Sequence, residues 1–420
     1  MKKAFYGWWI TAAAVITFGL STGLPYYTKD FFYDYYAREF HWSRSQITLG
    51  FPIAALLTIW AGPLLIHRFS PRKLILIGTG LTFVALTGFG KMGPSLPIYY
   101  LLWVVYTIGY ILSGPIPHQI VVSNWFRANR GKAMGIVYIG VGIIGALAAK
   151  NVKILTASFG FQTALIILGS LVFIAWPVAW FVLKDRPSDM GQFPDGAPSA
   201  PKELGMKSQS FSELMRSFSF WLLMIGSFCS IGSIGAVNSH MKFVFLDAGY
   251  KAGGPLDAVW SDAQTIILVA SILGRIAIGT FADKFSKKWV MTATYFIVAA
   301  TIPLLLMVKP SGTPLSFAIL FGFAMGADYM LIPLMAAEQF GVNSLPRAMA
   351  VILPVNTIGQ TWFPYFVARL QEHFGSYVVP LGTVFALAML GALAIAILPR
   401  HEKDDQPLYF PTPERATAKL

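Results

Sequence analysis

The chain has 420 residues, of which 55% are hydrophobic and only 12% are charged, and its mean hydropathy is +0.61. The surface of a soluble protein of this size would need about a quarter of its residues to be charged, so this composition favours a surface that faces lipid. The net charge of +13 does not indicate nucleic-acid binding, because the basic residues are scattered in short clusters between apolar runs.

Twelve apolar segments are long enough, at roughly 20 residues each, to cross a membrane as helices. In chain order, the predicted spans are 6–28, 46–66, 73–90, 97–122, 131–155, 161–183, 218–245, 262–282, 289–308, 314–337, 346–368 and 376–398. The first span follows a basic start that resembles a signal peptide, but no small-residue cleavage site stands out. We therefore expect an all-α membrane protein with twelve transmembrane helices.

The distribution of Lys and Arg predicts the orientation, because cytoplasmic loops are enriched in these residues. With the N-terminus inside, the inner segments carry 21 of the 32 basic residues and the outer segments carry 10. Lys29, Arg38 and Arg44 in the first outer loop run against this bias. We expect a multi-pass protein of the cell inner (plasma) membrane with both termini in the cytoplasm.

A long polar stretch at 184–210, rich in Pro, Gly, Ser and charge, lies between the sixth and seventh spans. It divides the chain into two sets of six spans. We predict an N-terminal six-helix bundle at 1–184, a cytoplasmic linker at 185–212, a C-terminal six-helix bundle at 213–400 and a cytoplasmic tail at 401–420.

Two sequence matches indicate that the two bundles are copies of one unit. The stretch 62–73 after the second span matches 279–288 after the eighth at an offset of 216, and 130–135 matches 346–351 at an offset of 215. Basic turns recur under the positive-inside bias anyway, so one match would be weak. Two matches at nearly one offset favour a duplicated unit, an arrangement in which two halves surround a site near the membrane midplane.

Over nearly its whole length the chain resembles the major facilitator superfamily. The two basic loops resemble its signature G-x-x-x-D-R-x-G-x-R-K, and the second copy keeps four positions of it: Gly279, Asp283, Lys284 and Lys288. The first copy keeps Arg68 opposite Lys284 but has Pro63 for the glycine and His67 for the aspartate. The resemblance therefore implies a gating role for this loop but does not carry its ion pair over to the N-terminal half.

Five further stretches narrow the resemblance by their order and spacing. They are YGWW at 6–9, NWFRANRGKAMGIVYIGVGIIG at 124–145, KDRPSDMGQFPDG at 184–196, FWLL at 220–223 and VNSH at 237–240. Together they are similar to bacterial monocarboxylate-transporter-like and oxalate/formate-antiporter-like proteins. The resemblance implies carriage of small organic acids.

Arg275 is the first candidate for a substrate contact, because it interrupts the otherwise apolar eighth span. It precedes Asp283 by eight residues, which places it about 12 Å from the end of its helix at 1.5 Å per residue. A guanidinium donates two parallel hydrogen bonds to a carboxylate and stays charged. The alternatives are snorkelling to the interface or a structural pair with Asp328. Both relatives carry a substrate-binding arginine in helix eight, which favours a carboxylate ligand.

Asp328 is the candidate for proton coupling. It precedes Glu338 by ten residues, about 15 Å along its helix at the same rise, so it lies at a depth similar to that of Arg275. Animal monocarboxylate transporters have an aspartate four residues before the arginine, where this chain has Ser271. A buried carboxyl can take over the proton, but a permanent ion pair with Arg275 is an equal alternative.

Four other residues are candidates to line the substrate cavity: Tyr26, Tyr329, His118 and Asn356. The two tyrosines match lining positions of the relatives, and phenols can donate to a carboxylate, although tyrosines are also common packing residues. His118 stands between prolines on one side and the polar Gln119 on the other, and is equally compatible with packing. Asn356 aligns with the second cation of dicarboxylate antiporters, and Met325 and Leu353 align with two tryptophans that enclose their small substrate.

The absence of the second cation at Asn356 and of the two tryptophans at Met325 and Leu353 favours a monoanionic substrate with an aliphatic part over a compact dianion. The sequence therefore predicts a secondary carrier for small monocarboxylates such as lactate or pyruvate, proton-coupled and functional as a monomer. An organic-anion exchanger and a non-transporting membrane sensor remain alternatives. The sequence shows no metal cluster, phosphate loop or nucleophile with a base, so we expect neither an enzyme nor a cofactor.

Overall fold

The computed structural model describes residues 5–58, 61, 65, 68–126, 129–196, 210–310, 314–341 and 344–399. These ranges are helical and contain no strand. The main helices are α1 (Gly7–Phe40), α2 (Gly50–Thr58), α3 (Pro71–Lys91), α4 (Leu96–Trp125), α5 (Arg130–Phe159), α6 (Phe161–Phe181), α7 (Phe218–Asp247), α8 (Gly254–Lys284), α9 (Lys287–Leu306), α10 (Leu315–Phe340), α11 (Leu345–Phe374) and α12 (Val378–Ile397).

Each predicted span coincides with one of these helices. Within the described residues, ten helices are long and apolar enough to cross a membrane. The other two, α2 and α11, occupy the predicted spans 46–66 and 346–368, and part of the former lies outside the described residues. The twelve-helix prediction is thereby confirmed.

The first helix is longer than its predicted span of 6–28, since it continues to Phe40. The predicted span ended at residue 28 because the charged residues Lys29 and Asp30 follow it and are typical of a loop. They neutralise each other instead, because the Lys29 ammonium donates to both carboxylate oxygens of Asp30 at 2.8 and 2.9 Å. A paired charge can stay within a packed helix, where an isolated one could not.

The two sets of six helices pack in the same pattern, as the internal repeat predicts. In the first set α1 contacts α5 and α6, α2 contacts α4, and α3 contacts α4 and α6. The second set has the equivalent contacts: α7 with α11 and α12, α8 with α10, and α9 with α10 and α12. We call these sets the N-terminal half and the C-terminal half.

The two halves meet mainly along two pairs of helices. One is α5 with α8, and the other is α2 and the short helix Arg44–Thr48 with α11. The two pairs are equivalent in the repeat, since α2 corresponds to α8 and α5 to α11. We call the side where α1 begins the N-terminal side, and the side where α1 ends the far side.

The middle of α1 departs from regular α-helix where it packs against α5 of the same half. Residues Gly19–Gly23 form a π-helical turn just before Pro25, which lacks the N–H that would continue the regular ladder. A side chain at Gly23 would lie 2.6 Å from the Val141 carbonyl oxygen of α5. Glycine at this position therefore lets α1 approach α5 closely, and the irregular turn is followed directly by Tyr26 and Tyr27.

The predicted linker at 185–212 is described only in part, because residues 197–209 lie outside the described ranges, and so does the predicted tail at 401–420. Residues 185–196 of the linker pack on the N-terminal half. The Tyr6 amide donates to the Gln192 side chain at 2.9 Å, and the Asn124 side chain donates to the Asp185 carbonyl at 3.0 Å. The domain boundaries remain a proposal.

Candidate functional site

Three glycines bring α8 and α10 into backbone contact. A side chain at Gly274, Gly322 or Gly326 would overlap a backbone carbonyl of the facing helix. Only residues without a Cβ permit so close a crossing. The crossing places the side chain of Arg275 directly against the backbone of α10.

Arg275 binds two backbone carbonyls, one from each half of the protein. Its Nε donates to Gly326 O of α10 at 3.1 Å, and its Nη1 donates to Tyr138 O of α5 at 2.9 Å. Within the described residues, no carboxylate pairs with this guanidinium, and Nη2 has no hydrogen-bond partner. The side chain is partly exposed. Arg275 is therefore held in place by neutral groups, and no described carboxylate balances its charge.

The proposed structural pair between Arg275 and Asp328 does not form. Asp328 is fully buried, and its Oδ2 accepts a hydrogen bond from Ser230 Oγ of α7 at 2.6 Å. The hydroxyl of Tyr295 in α9 lies beside the same carboxyl group. The carboxyl of Asp328 therefore faces the interior of the C-terminal half, whereas Arg275 faces the interface between the halves.

The predicted lining residues Tyr26 and Tyr329 come together across this interface. Tyr329 is 42% exposed, although it lies in the middle of α10. It has Tyr26, Tyr27 and Tyr110 as neighbours from the N-terminal half, so its exposed surface faces an open space between the halves. The side chain of Gln360 in α11 lies beside the Tyr329 hydroxyl.

Tyr110 and Tyr138 extend the site from Tyr329 towards Arg275. Tyr110 of α4 lies 6.2 Å from Tyr26, ring centre to ring centre, and it is close to Tyr138. The Tyr138 hydroxyl accepts a hydrogen bond from the Gln119 side chain at 2.6 Å, while its carbonyl accepts from Arg275. Sequence reasoning missed Tyr110, Tyr138 and Gln360. Their only signal was a polar group within an apolar span, which many packing tyrosines share.

His118 and Asn356 do not lie in this space. His118 is buried, with Nδ1 at 2.8 Å from Gly114 O and Nε2 at 2.9 Å from Thr17 Oγ1, and its ring stacks on Phe18. It therefore packs α4 against α1. Asn356 is also buried, and its Oδ1 accepts from Ser227 Oγ of α7 at 3.0 Å, whereas its Nδ2 has no partner among the described residues.

The loop-motif residues lie on the N-terminal side, at the ends of their helices. Lys284 and Arg68 are exposed, and Gly279 lies on α8 near Met330 of α10. The side chain of Asp283 lies outside the described part of the structure, as does His67. Within the described residues, no group of His, Cys, Asp or Glu side chains could hold a metal ion.

A buried lysine that the sequence analysis did not single out lies on the far side. Lys242 of α7 is 1% exposed, and its ammonium lies 2.5 Å from an Asp34 carboxylate oxygen of α1 and 2.8 Å from Asp257 of α8. Its position near the end of a predicted span made it look like an ordinary interfacial lysine. The contact with Asp34 joins the two halves.

Comparisons with known proteins agree on the family. The sequence profile of the Major Facilitator Superfamily matches residues 4–261. The chain is 24% identical to MFS-type transporter 1 of Ophiocordyceps sp. (strain BCC 1869) over 89% of its length and 78% of that protein. It is likewise 24% identical to Monocarboxylate transporter 12 of Rattus norvegicus, over 93% of its length and 86% of the relative.

A solved structure shows the same fold. It is that of a bacterial homologue of the human lysosomal transporter Spinster, in an inward-facing and unoccupied conformation, and it superposes with a TM-score of 0.64 at 15% identity. The match covers 94% of this chain and 95% of that one. The helix order, the repeated packing and the matched profile lead to one conclusion: the chain belongs to the major facilitator superfamily and is a multi-pass membrane transporter.

Proposed function

We propose that the protein is a secondary active transporter of small monocarboxylates such as lactate or pyruvate. The observation that carries this proposal is the guanidinium of Arg275, which lies between the two halves and is unpaired with any described carboxylate. A permanent cation in so apolar a setting needs an anion to compensate it. The similarity to Monocarboxylate transporter 12 supports a carboxylate as that anion.

The surroundings of Arg275 suit a monoanion with an apolar part. The bonds from Nε and Nη1 to backbone carbonyls fix the plane of the guanidinium and leave Nη2 to donate to a ligand oxygen. The hydroxyls of Tyr329, Tyr26 and Tyr110 can donate further hydrogen bonds. At the position where the sequence analysis aligned the second cation of dicarboxylate antiporters, this chain has the neutral Asn356, whose side chain is buried against α7.

Transport would proceed by alternating access of the two halves around this site. In the orientation that the basic residues predict, the far side is external and both termini are cytoplasmic. Asp328 is our candidate proton carrier, because it is a fully buried carboxyl with one oxygen that lacks a hydrogen bond among the described groups. We propose proton symport, with one protein chain as the functional unit.

Exchange of organic anions is the second candidate function. It is favoured by the separation of Asp328 from Arg275, since the carboxyl contacts Ser230 and faces α7 and α9. A substrate on Arg275 would not touch the proposed proton site directly. An exchanger needs no such contact, because one anion simply replaces another on the same cation.

Uptake of a labelled monocarboxylate by reconstituted vesicles tests the proposal. We expect Arg275→Lys to lower uptake of lactate about 10- to 100-fold, because the lysine keeps the charge but loses the planar hydrogen-bonding fork. Arg369→Lys is the matched control, since Arg369 is exposed on α11 and pairs with Glu372. Uptake by Arg275→Lys equal to that of the control would contradict a substrate role.

A proton gradient separates symport from exchange. Vesicles that contain no internal substrate should accumulate lactate when the external medium is made acidic if the protein is a symporter. An exchanger would take up label only when the vesicles are preloaded with unlabelled anion. A protein that binds lactate but shows neither kind of flux would be a sensor, which would contradict both functions.

A further inference from the structure

Four charged residues form a cluster on the far side of the protein, between α1, α7 and α8. The Lys242 ammonium lies between Asp34 and Asp257, and it also donates to the Phe31 carbonyl at 2.6 Å. Arg38 of α1 donates to the other oxygen of Asp34 at 2.9 Å. The Phe31 ring covers the ammonium at 3.7 Å from its centre, so the centre of the cluster is dry.

The cluster joins the two halves at the place where they must separate to open the far side. Asp34 and Arg38 belong to α1, in the N-terminal half, whereas Lys242 and Asp257 belong to the C-terminal half. The hydroxyl of Tyr35 adds a second bridge by donating to Asp257. The contact between Asp34 and Lys242 therefore has to break in any motion that parts α1 from α7.

Each half keeps a neutral pair when that contact breaks. Arg38 stays with Asp34 because both lie on α1, four residues apart. Lys242 stays with Asp257, at 2.8 Å within the C-terminal half. Breaking a buried ion pair usually strands an uncompensated charge, which is strongly unfavourable. Here neither half is left with an unpaired charge, so the contact can open and close reversibly.

We propose that Arg38, Asp34, Lys242 and Asp257 form a reversible charge lock that holds the far side closed. The ion pair between Asp34 and Lys242 stabilises the closed state. The pair of Arg38 with Asp34 is present in both states, and it favours opening because it compensates the Asp34 charge once Lys242 has moved away. This inference rests on alternating access, which is part of the proposed function. It predicts that Asp34 and Arg38 have opposite effects on the equilibrium between the closed and open far side.

A buried cysteine on the far side can report the opening. Ser45 lies at the contact of the helix Arg44–Thr48 with α11 and is 7% exposed, and its amide donates to Glu372 at 2.8 Å. We would place Ser45→Cys in a Cys229→Ser background and measure its rate of alkylation by a polar maleimide in detergent. When opening is faster than labelling, this rate is proportional to the open fraction.

The two variants of α1 should change this rate in opposite directions. Asp34→Asn removes the bond that closes the lock, so we expect the labelling rate to rise about tenfold or more. Arg38→Gln removes the partner that Asp34 keeps on opening, so we expect the rate to fall about twofold to fivefold, as suits a partly exposed pair. In the double variant Arg38→Gln should have no further effect, because its partner charge is gone.

A higher labelling rate of Ser45→Cys with Arg38→Gln, or an unchanged labelling rate with Asp34→Asn, would contradict the proposed charge lock. The control Asp262→Asn removes an exposed contact with Lys150 between α8 and α5 and should change the rate by no more than about threefold. If Asp34→Asn does not fold, Arg38→Gln still tests the proposal through the direction in which the labelling rate changes. We expect this variant to fold, because the Arg38 side chain is at the surface. The assay uses no substrate, so absent lactate uptake contradicts the proposed function and leaves the lock intact.

Discussion

At the scale of single residues, the role of Asp328 is the part of the site that most needs a direct test. We expect Asp328→Asn to abolish lactate accumulation driven by a proton gradient and to leave exchange of internal for external lactate intact. The amide keeps the shape of the carboxyl and can still accept from Ser230, but it cannot bind a proton. The measurement is uptake into vesicles with and without preloaded lactate.

The matched control for this variant is Asp262→Asn, which removes an exposed carboxylate of α8. It should preserve both accumulation and exchange. Unchanged accumulation in Asp328→Asn would exclude this carboxyl as the proton site. Loss of both activities would instead assign Asp328 a structural role between α7, α9 and α10.

How well the role of a residue could be predicted from the sequence depended on the chemistry of its side chain. A deep arginine such as Arg275 has few uses in an apolar span, so a candidate site could be predicted from it alone. Tyr110 and His118 show the opposite case, because tyrosine and histidine pack and bind with equal ease. Lys242 was missed because its partners Asp34 and Asp257 are distant in the sequence. Which side chain faces which helix is decided by tertiary packing.

At the scale of helices, the crossing of α8 and α10 depends on glycine. We expect Gly326→Ala to lower the free energy of unfolding by about 3 kcal/mol, because the new methyl group would overlap the Ser271 carbonyl and force the backbones apart. Thermal unfolding of the detergent-purified protein measures this effect. The same displacement should weaken lactate uptake, since Gly326 O anchors Arg275.

Gly382 provides the control for this substitution. It lies on α12 with open space where a side chain would project. Gly382→Ala should therefore stabilise the protein by up to about 1 kcal/mol, as alanine favours helix over glycine. Equal effects of the two substitutions would show that the crossing tolerates a Cβ.

The helices themselves could be predicted well, because each span is a continuous apolar run of the required length. The extension of α1 to Phe40 could not, since the pairing of Lys29 with Asp30 is visible only in three dimensions. The same holds for the π-helical turn at Gly19–Gly23. Its sequence signal, glycines before Pro25, is shared by many regular membrane helices.

At the scale of the whole molecule, transport by alternating access requires the two halves to part on the far side. Arg44 and Asp247 pair across this side at 2.6 Å. We expect Arg44→Cys with Asp247→Cys, in a Cys229→Ser background, to lose lactate uptake when a short bifunctional thiol reagent joins them. A disulfide-containing reagent should allow uptake to recover on reduction, because the halves are then free to separate.

The control joins two helices within one half. Lys287 and Glu338 pair at 2.6 Å between α9 and α10, so the same reagent on Lys287→Cys with Glu338→Cys should leave uptake unchanged. Equal inhibition of both cross-linked proteins would argue against relative motion of the halves. The two-half architecture itself could be predicted, because two motifs recur at nearly one offset and a duplicated chain packs each copy alike.

The neutral pairs of the charge lock also bear on the electrical behaviour of the protein. Moving one unpaired charge through the membrane field requires about 2.3 kcal/mol per 100 mV. Arg38 with Asp34, and Lys242 with Asp257, carry no net charge within either half. Opening the charge lock therefore moves balanced charges through the field, and the membrane potential exerts little force on these four residues, whatever voltage the cell maintains.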